Sequence, residues 1–90
     1  MKRVHITVFG RVQGVFFRYN TKKVADKLGV KGWVKNNSDG TVEAVFEGEK
    51  NSVDKIIDWC KKGPMGARVE RVDIEEEKNQ KEFKKFSIIY

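Results

Sequence analysis

The nine residues GRVQGVFFR, at 10–18, place two glycines four apart, a bulky apolar run and a permanent cation in one short stretch. Glycine reaches positive φ without a Cβ clash, so Gly10 and Gly14 let backbone N–H groups turn toward one point, a nest for an oxyanion. A helix beginning near Phe17 leaves its first N–H groups without intrahelical acceptors, and its dipole makes that end positive. Arg18 in that first turn costs roughly 0.3–1 kcal/mol if exposed, and no carboxylate stands close in sequence to offset it. A bound anion reverses the sign of that cost, and the planar guanidinium suits two phosphate oxygens. The same residues also fit a plain strand–turn–helix joint, with Val15, Phe16 and Phe17 plugging the core and Arg18 lying along the surface. The stretch is neither a Walker A loop, which needs Lys and Ser/Thr, nor a G-x-G-x-x-G turn.

Other reactive residue types lack the company their chemistry needs. His5 is the sole histidine and shares a strand face with Thr7 and Phe9, so a metal cluster or a His-dependent triad lacks its other members. Cys60 falls on the apolar side of a helix with no base indicated nearby, which marks a core cysteine. Glu75, Glu76 and Glu77 read as charges guarding a sheet edge. Trp33 and Trp59 are expected to pack, and Arg11 suits the surface as well as it suits an approaching anion. Asn36 taken alone is a turn residue ahead of Asp39-Gly40.

The elements that would position these residues follow from periodicity. RVHITVF alternates, with Val4, Ile6 and Val8 on one face, as a strand does. Phe17, Thr21, Val24, Ala25 and Leu28 recur at helical spacing, and Gly29 stops that helix. VKGWVKN and TVEAVFEG read as strands joined at NNSDG, the second turning Val42, Ala44 and Phe46 inward. A second helix carries Val53, Ile56, Ile57 and Cys60, with Asn51 or Ser52 as its cap and Gly63-Pro64 as its end. RVERVDIEEE is a charged edge strand, FKKFSIIY closes the chain as a strand, and PMGAR and KNQKE are loops. The order β-α-β-β-α-β plus a last strand predicts an α+β, ferredoxin-like sandwich. Its largely antiparallel sheet carries two helices on one face and leaves the other partly open.

Ninety residues, 39% apolar and 36% charged, make one domain with one small core. No run reaches the roughly 18 apolar residues of a membrane span, and the alternating MKRVHITVFG is no signal peptide. A single cysteine excludes an internal disulfide, so a cytoplasmic protein is expected. The net charge of +6 favours acidic partners, although the lysines are interspersed with glutamates.

VFGRVQGVFFR resembles the first signature of the acylphosphatase family through Gly10, Val12, Gln13, Gly14, Val15, Phe17 and Arg18. GWVKNNSDGTVEAVFEG resembles the second through Gly32, Trp33, Val34, Lys35, Asn36, Gly40, Val42 and Gly48. The resemblance implies hydrolysis of acyl phosphates to carboxylate and inorganic phosphate, with no metal and no other cofactor. It implies that backbone amides of Gln13, Gly14, Val15, Phe16, Phe17 and Arg18 hold the phosphoryl oxygens, and that Arg18 is the essential cation. It further implies that Asn36 orients the attacking water and that no phosphoenzyme forms. A neutral amide cannot act as a base, so positioning is the role open to Asn36. Many relatives follow the catalytic Asn with Thr or Ser; Asn37 stands here, which puts a second water contact in doubt.

A monomer acting on a small acyl phosphate, with no nucleic acid and no membrane, is expected. One alternative is a non-catalytic module that binds acyl or carbamoyl phosphate for a larger machine. The other is an RNA-binding ferredoxin-like domain, which needs stacking aromatics on the open face. The third strand offers Thr41, Glu43, Val45 and Glu47 there, with no aromatic.

Overall fold

Seven elements follow in chain order: strand β1 (Lys2–Arg11), helix α1 (Phe17–Leu28), β2 (Lys31–Asn36), β3 (Val42–Gly48), helix α2 (Lys50–Lys62), β4 (Arg68–Glu77) and β5 (Phe86–Ile88). They belong to a computed structural model that describes residues 1–78 and 81–90. The sheet order is β4-β1-β3-β2-β5, antiparallel throughout except that β5 runs parallel to β2. This is the expected α+β, ferredoxin-like arrangement.

The alternation in β1 and β3 buries Val4, Ile6, Val8, Val42, Ala44 and Phe46 on one sheet face. The helices close over that face with Phe17, Ala25, Val53, Ile56, Ile57 and Cys60, forming a single apolar core. α1 ends at Gly29 in the left-handed region, and Val30 donates back to the Ala25 carbonyl, as the sequence leads one to expect.

Gly32 has a structural reason to lack a side chain. It pairs with Phe46 on one side and Phe86 on the other, and those two rings stack at 5.8 Å. At φ 132, a Cβ there would stand 1.9 Å from the Val45 carbonyl oxygen. The glycine thus lets β3 pack closely against β2, while on the other side β5 pairs with β2 from Gly32 to Val34, toward the end where Asn36 lies.

Three local expectations need correction. The face away from the helices is less open than patterning implied: Val45 and Thr41 are buried, and Glu47 is only 2% exposed. The backbone N–H groups of Lys81 and Glu82 donate to the Glu47 carboxylate, so the chain after β4 folds across that end of the sheet. Arg3 lies beside the same carboxylate and over the Phe83 ring. Patterning missed this because two backbone donors, rather than water, solvate the acid. Neither Asn51 nor Ser52 caps α2; the chain enters through Glu49 in extended geometry, whose carbonyl accepts from Val53. The closing strand is confined to Phe86–Ile88, because Phe83 is drawn under Arg3 instead of continuing the ladder. The KNQKE loop lies partly outside the described residues.

Gly32→Ala is expected to destabilise the fold by about 3 kcal/mol, since both the dihedral and the carbonyl contact forbid a Cβ. Urea denaturation measures it, and a shift under 1 kcal/mol would mean the sheet yields at this position.

Candidate active site

The segment between β1 and α1 is anchored at two points. Val12 and Phe17 are both buried, while Gly14 and Phe16 between them are exposed. Phe17 packs its ring 5.5 Å from Trp59 of α2, and its carbonyl accepts the buried Thr21 hydroxyl at 2.7 Å. Gly14 has φ 76, and Phe16, although not a glycine, has φ 61 and ψ 29. A left-handed aromatic residue costs on the order of 1 kcal/mol or more, and Phe16 recovers none of it by packing, since it is 77% exposed.

Phe16 is the N-cap of α1 and has no side chain able to cap it. The first turn holds no acid and does hold Arg18. Among the described residues, none of the N–H groups of residues 14–18 donates to a carbonyl or side chain. Five free donors, a dipole end and a cation therefore lie in one short segment, with no anion among the described residues to answer them.

The facing wall comes from the β2–β3 turn. Asn37 N–H donates to the Thr41 carbonyl and Gly40 N–H to the Asn37 carbonyl, closing the turn with Gly40 at φ 92. The Gln13 side chain donates to the Asn37 carbonyl at 2.7 Å and to the Thr41 carbonyl at 2.9 Å. One side chain of the loop thus fastens it to the turn that begins one residue after Asn36. Asn37 Nδ2 donates to the Thr41 hydroxyl, which in turn donates to Asp39 at 2.6 Å. The hydroxyl and N–H of Thr41 hold the Asp39 carboxyl below its usual range. Burial works against ionised Glu43, yet bonds from His5 and Asn37, with the charges of His5 and Lys35, outweigh it and lower its pKa.

Between loop and turn lies a cleft of about 420 Å³. Gly14, Phe16, Phe17, Arg18 and Asn36 line it, so five of the residues singled out from sequence meet there. Arg18 makes no ion pair among the described residues; its Cζ lies 5.2 Å from the centre of the Tyr90 ring. Asn36 Oδ1 is buried and accepts no hydrogen bond from the described residues. The cleft thus offers a cation and free backbone donors for an anion, with the Asn36 side chain in its wall.

Gln13 and Val15 do not line the cleft. Gln13 turns to the hairpin, and Val15 packs on the other side of the loop. Gly10 is not part of the nest either. It forms the irregularity in the β1–β4 ladder, where a Cβ would stand 2.1 Å from the Arg68 carbonyl oxygen. Phe16 is no core plug. Asn37 serves the turn network and not the cleft. His5 contacts Glu43 at 2.5 Å on the sheet face, and burial pushes the Cys60 thiol up, leaving it inert.

Sequence reasoning missed Val12, Tyr19, Ile88 and Tyr90 as cleft residues. The parallel pairing of Val34 with Ile88 brings the last two beside Asn36. The shared side of Phe86, Ile88 and Tyr90 was the available signal; the partner strand was not.

Residues 4–88 match the acylphosphatase family. The chain is 60% identical to the acylphosphatase of Rubrobacter xylanophilus over 76 residues, 84% of this chain and 69% of that one. It is 57% identical to the acylphosphatase of Pyrobaculum calidifontis over 88 residues, 97% of this chain and 80% of that one. The crystal structure of acylphosphatase from Bacillus subtilis superposes with a TM-score of 0.96 at 39% identity, covering 100% of both chains.

Gln13→Ala removes two donors from partly buried carbonyls and should cost about 2 kcal/mol, read from the urea midpoint; an unchanged midpoint would mean the contact holds nothing. The lowered carboxyls of Glu43 and Asp39 stabilise the fold above their ordinary values of 4.5 and 3.8, and that contribution is lost as pH falls through the lower folded values. Glu43→Gln should flatten the acid limb of a stability–pH curve below pH 4.5 and leave its shape near pH 7 unchanged.

Proposed function

The chain belongs to the acylphosphatase family and is an enzyme of that activity, and we propose that the cleft between the 13–18 loop and Asn36 is where the carboxyl–phosphate bond of an acyl phosphate is hydrolysed. The observation that carries this is the set of unanswered donors at the entrance to α1, beside a cleft lined by Gly14, Phe16, Phe17, Asn36 and an Arg18 that is unpaired among the described residues.

In this reading the phosphoryl oxygens accept from the loop amides, and Arg18 supplies the charge that two or three such oxygens need. The Asn36 side-chain amide hydrogen-bonds a water and so aims its lone pair at phosphorus. The new P–O bond forms as the bond to the acyl oxygen breaks, and the carboxylate leaves with that electron pair. The water's proton passes to a phosphate oxygen, giving carboxylate and inorganic phosphate. Phosphoryl transfer has a loose transition state, so positioning and charge stabilisation can carry most of the acceleration. A carboxylate is a good leaving group, so no strong general acid is needed. No metal, cofactor or phosphoenzyme takes part.

The protein acts as a one-domain monomer in the cytoplasm, without nucleic acid. The outward aromatics support that last point, since Arg71 covers Phe9 at 4.0 Å and His5 abuts Trp33, with the acid Glu43 between the strands. A buried free cysteine suits a reducing compartment.

Arg18→Ala should abolish both phosphate inhibition and turnover of benzoyl phosphate while circular dichroism stays native; wild-type kinetics in that variant would remove Arg18 from the site. Asn36→Ala should keep competitive inhibition by phosphate within about threefold and lower kcat by two orders of magnitude or more, roughly what lost positioning costs. Equal loss of phosphate binding would make Asn36 a phosphate ligand. A folded wild-type chain that binds phosphate without turnover would favour the non-catalytic binding module.

A further inference from the structure

A second groove, of about 470 Å³, runs along α1 on the other side of Phe16. Val15, Val24, Trp59 and Met65 supply apolar lining, and Lys23 and Lys27 also border it. Phe16 is the one residue that lines both this groove and the cleft holding Arg18 and Asn36.

Three observations need a common explanation. Phe16 is left-handed and 77% exposed, so neither backbone comfort nor core packing accounts for an aromatic ring there. Met65 is 99% exposed across the groove from α1. Of the seven large apolar residues exposed among the described ones, Phe16, Tyr19, Met65 and Tyr90 line the cleft or the groove. A concentration of this kind marks a surface that meets a ligand.

We propose that this groove seats the acyl half of the substrate, with Phe16 as the ledge over which it passes, and that the preferred acyl phosphates carry an extended apolar group, aryl or medium-chain, rather than acetyl. The proposal rests on reading the cleft as the phosphate site. In-line displacement puts the leaving carboxylate opposite the attacking water. Asn36, which holds that water, lines the cleft and not the groove, so an acyl group leaving away from Asn36 has the groove beyond Phe16 open to it. The lysines favour the carboxylate that forms at the mouth of the groove. A small, polar phosphoryl group occupies the cleft, and the apolar walls beyond Phe16 remain for carbon.

The test is a two-step NMR titration of the whole protein. Inorganic phosphate alone should shift the amides of residues 14–18. Phenacylphosphonate, in which a methylene replaces the bridging oxygen of benzoyl phosphate, should compete with phosphate and in addition shift the Trp59 indole and the methyl groups of Val24 and Met65. It should bind about tenfold more tightly than acetonylphosphonate, the scale expected from burying a few more carbons. Added shifts confined to Tyr19, Ile88 and Tyr90, or equal affinity for the two phosphonates, overturn the groove while leaving the phosphate site intact. Phosphate that leaves the loop amides unmoved overturns both readings together.

Discussion

Everything at the candidate site depends on one unbalanced helix end. α1 starts at Phe16 without a capping side chain, without an acid in its first turn and with Arg18 where the dipole disfavours a cation. Each departure costs on the order of 1 kcal/mol, and none is answered by a charge or cap among the described residues. In the proposed reading a phosphoryl dianion answers the free donors and the cation at once. The local instability and the affinity for a doubly charged oxyanion are thus the same electrostatic fact, seen without and with ligand. Strain concentrated at one loop is what a site needing preorganised donors requires.

The rest of the fold holds that end steady against the β2–β3 hairpin. Phe17 is fixed from below by Trp59 and Thr21, while Gln13 ties the loop sideways to the carbonyls of Asn37 and Thr41. Asn36 ends β2, one residue from the tied carbonyl of Asn37, so the loop amides proposed to hold phosphate and the amide proposed to orient water share one frame. Gly32 contributes from a distance. It lets β3 press on β2, where Phe46 stacks with Phe86 of β5, and the pairing of β5 with β2 carries Ile88 and Tyr90 to the wall of the cleft. Effective catalysis by positioning requires such rigidity, since misplacement by about 1 Å can cost two orders of magnitude in rate.

The order of elements was legible because the apolar periods are clean: Val4, Ile6 and Val8 alternate, and Val53, Ile56, Ile57 and Cys60 repeat at helical spacing. Arg18 and Asn36 could be singled out because a guanidinium beside a glycine turn and an asparagine at a strand end are local features, joined by a two-part signature. What stayed hidden depends on contacts between distant segments. Gly10 looks like a nest glycine until β4 is seen to press on it. Gln13 looks like a backbone donor until its side chain meets the hairpin, 24 residues away. Glu47 reads as an exposed acid on an alternating strand, and only the chain at Lys81 and Glu82 buries it. The left-handed Phe16 had no signal, because β-turn and helix-cap rules both disfavour an aromatic there.

The account's central claim is that the loop fixes phosphorus for attack by a water that Asn36 directs. Hydrolysis of benzoyl phosphate in water enriched in oxygen-18, with the products separated and weighed by mass spectrometry, tests it most directly. One labelled oxygen in inorganic phosphate and none in benzoate is the predicted result. Label in the benzoate would mean that water attacks the carbonyl carbon, and would contradict both the role given to Asn36 and the placement of the phosphoryl group in the loop.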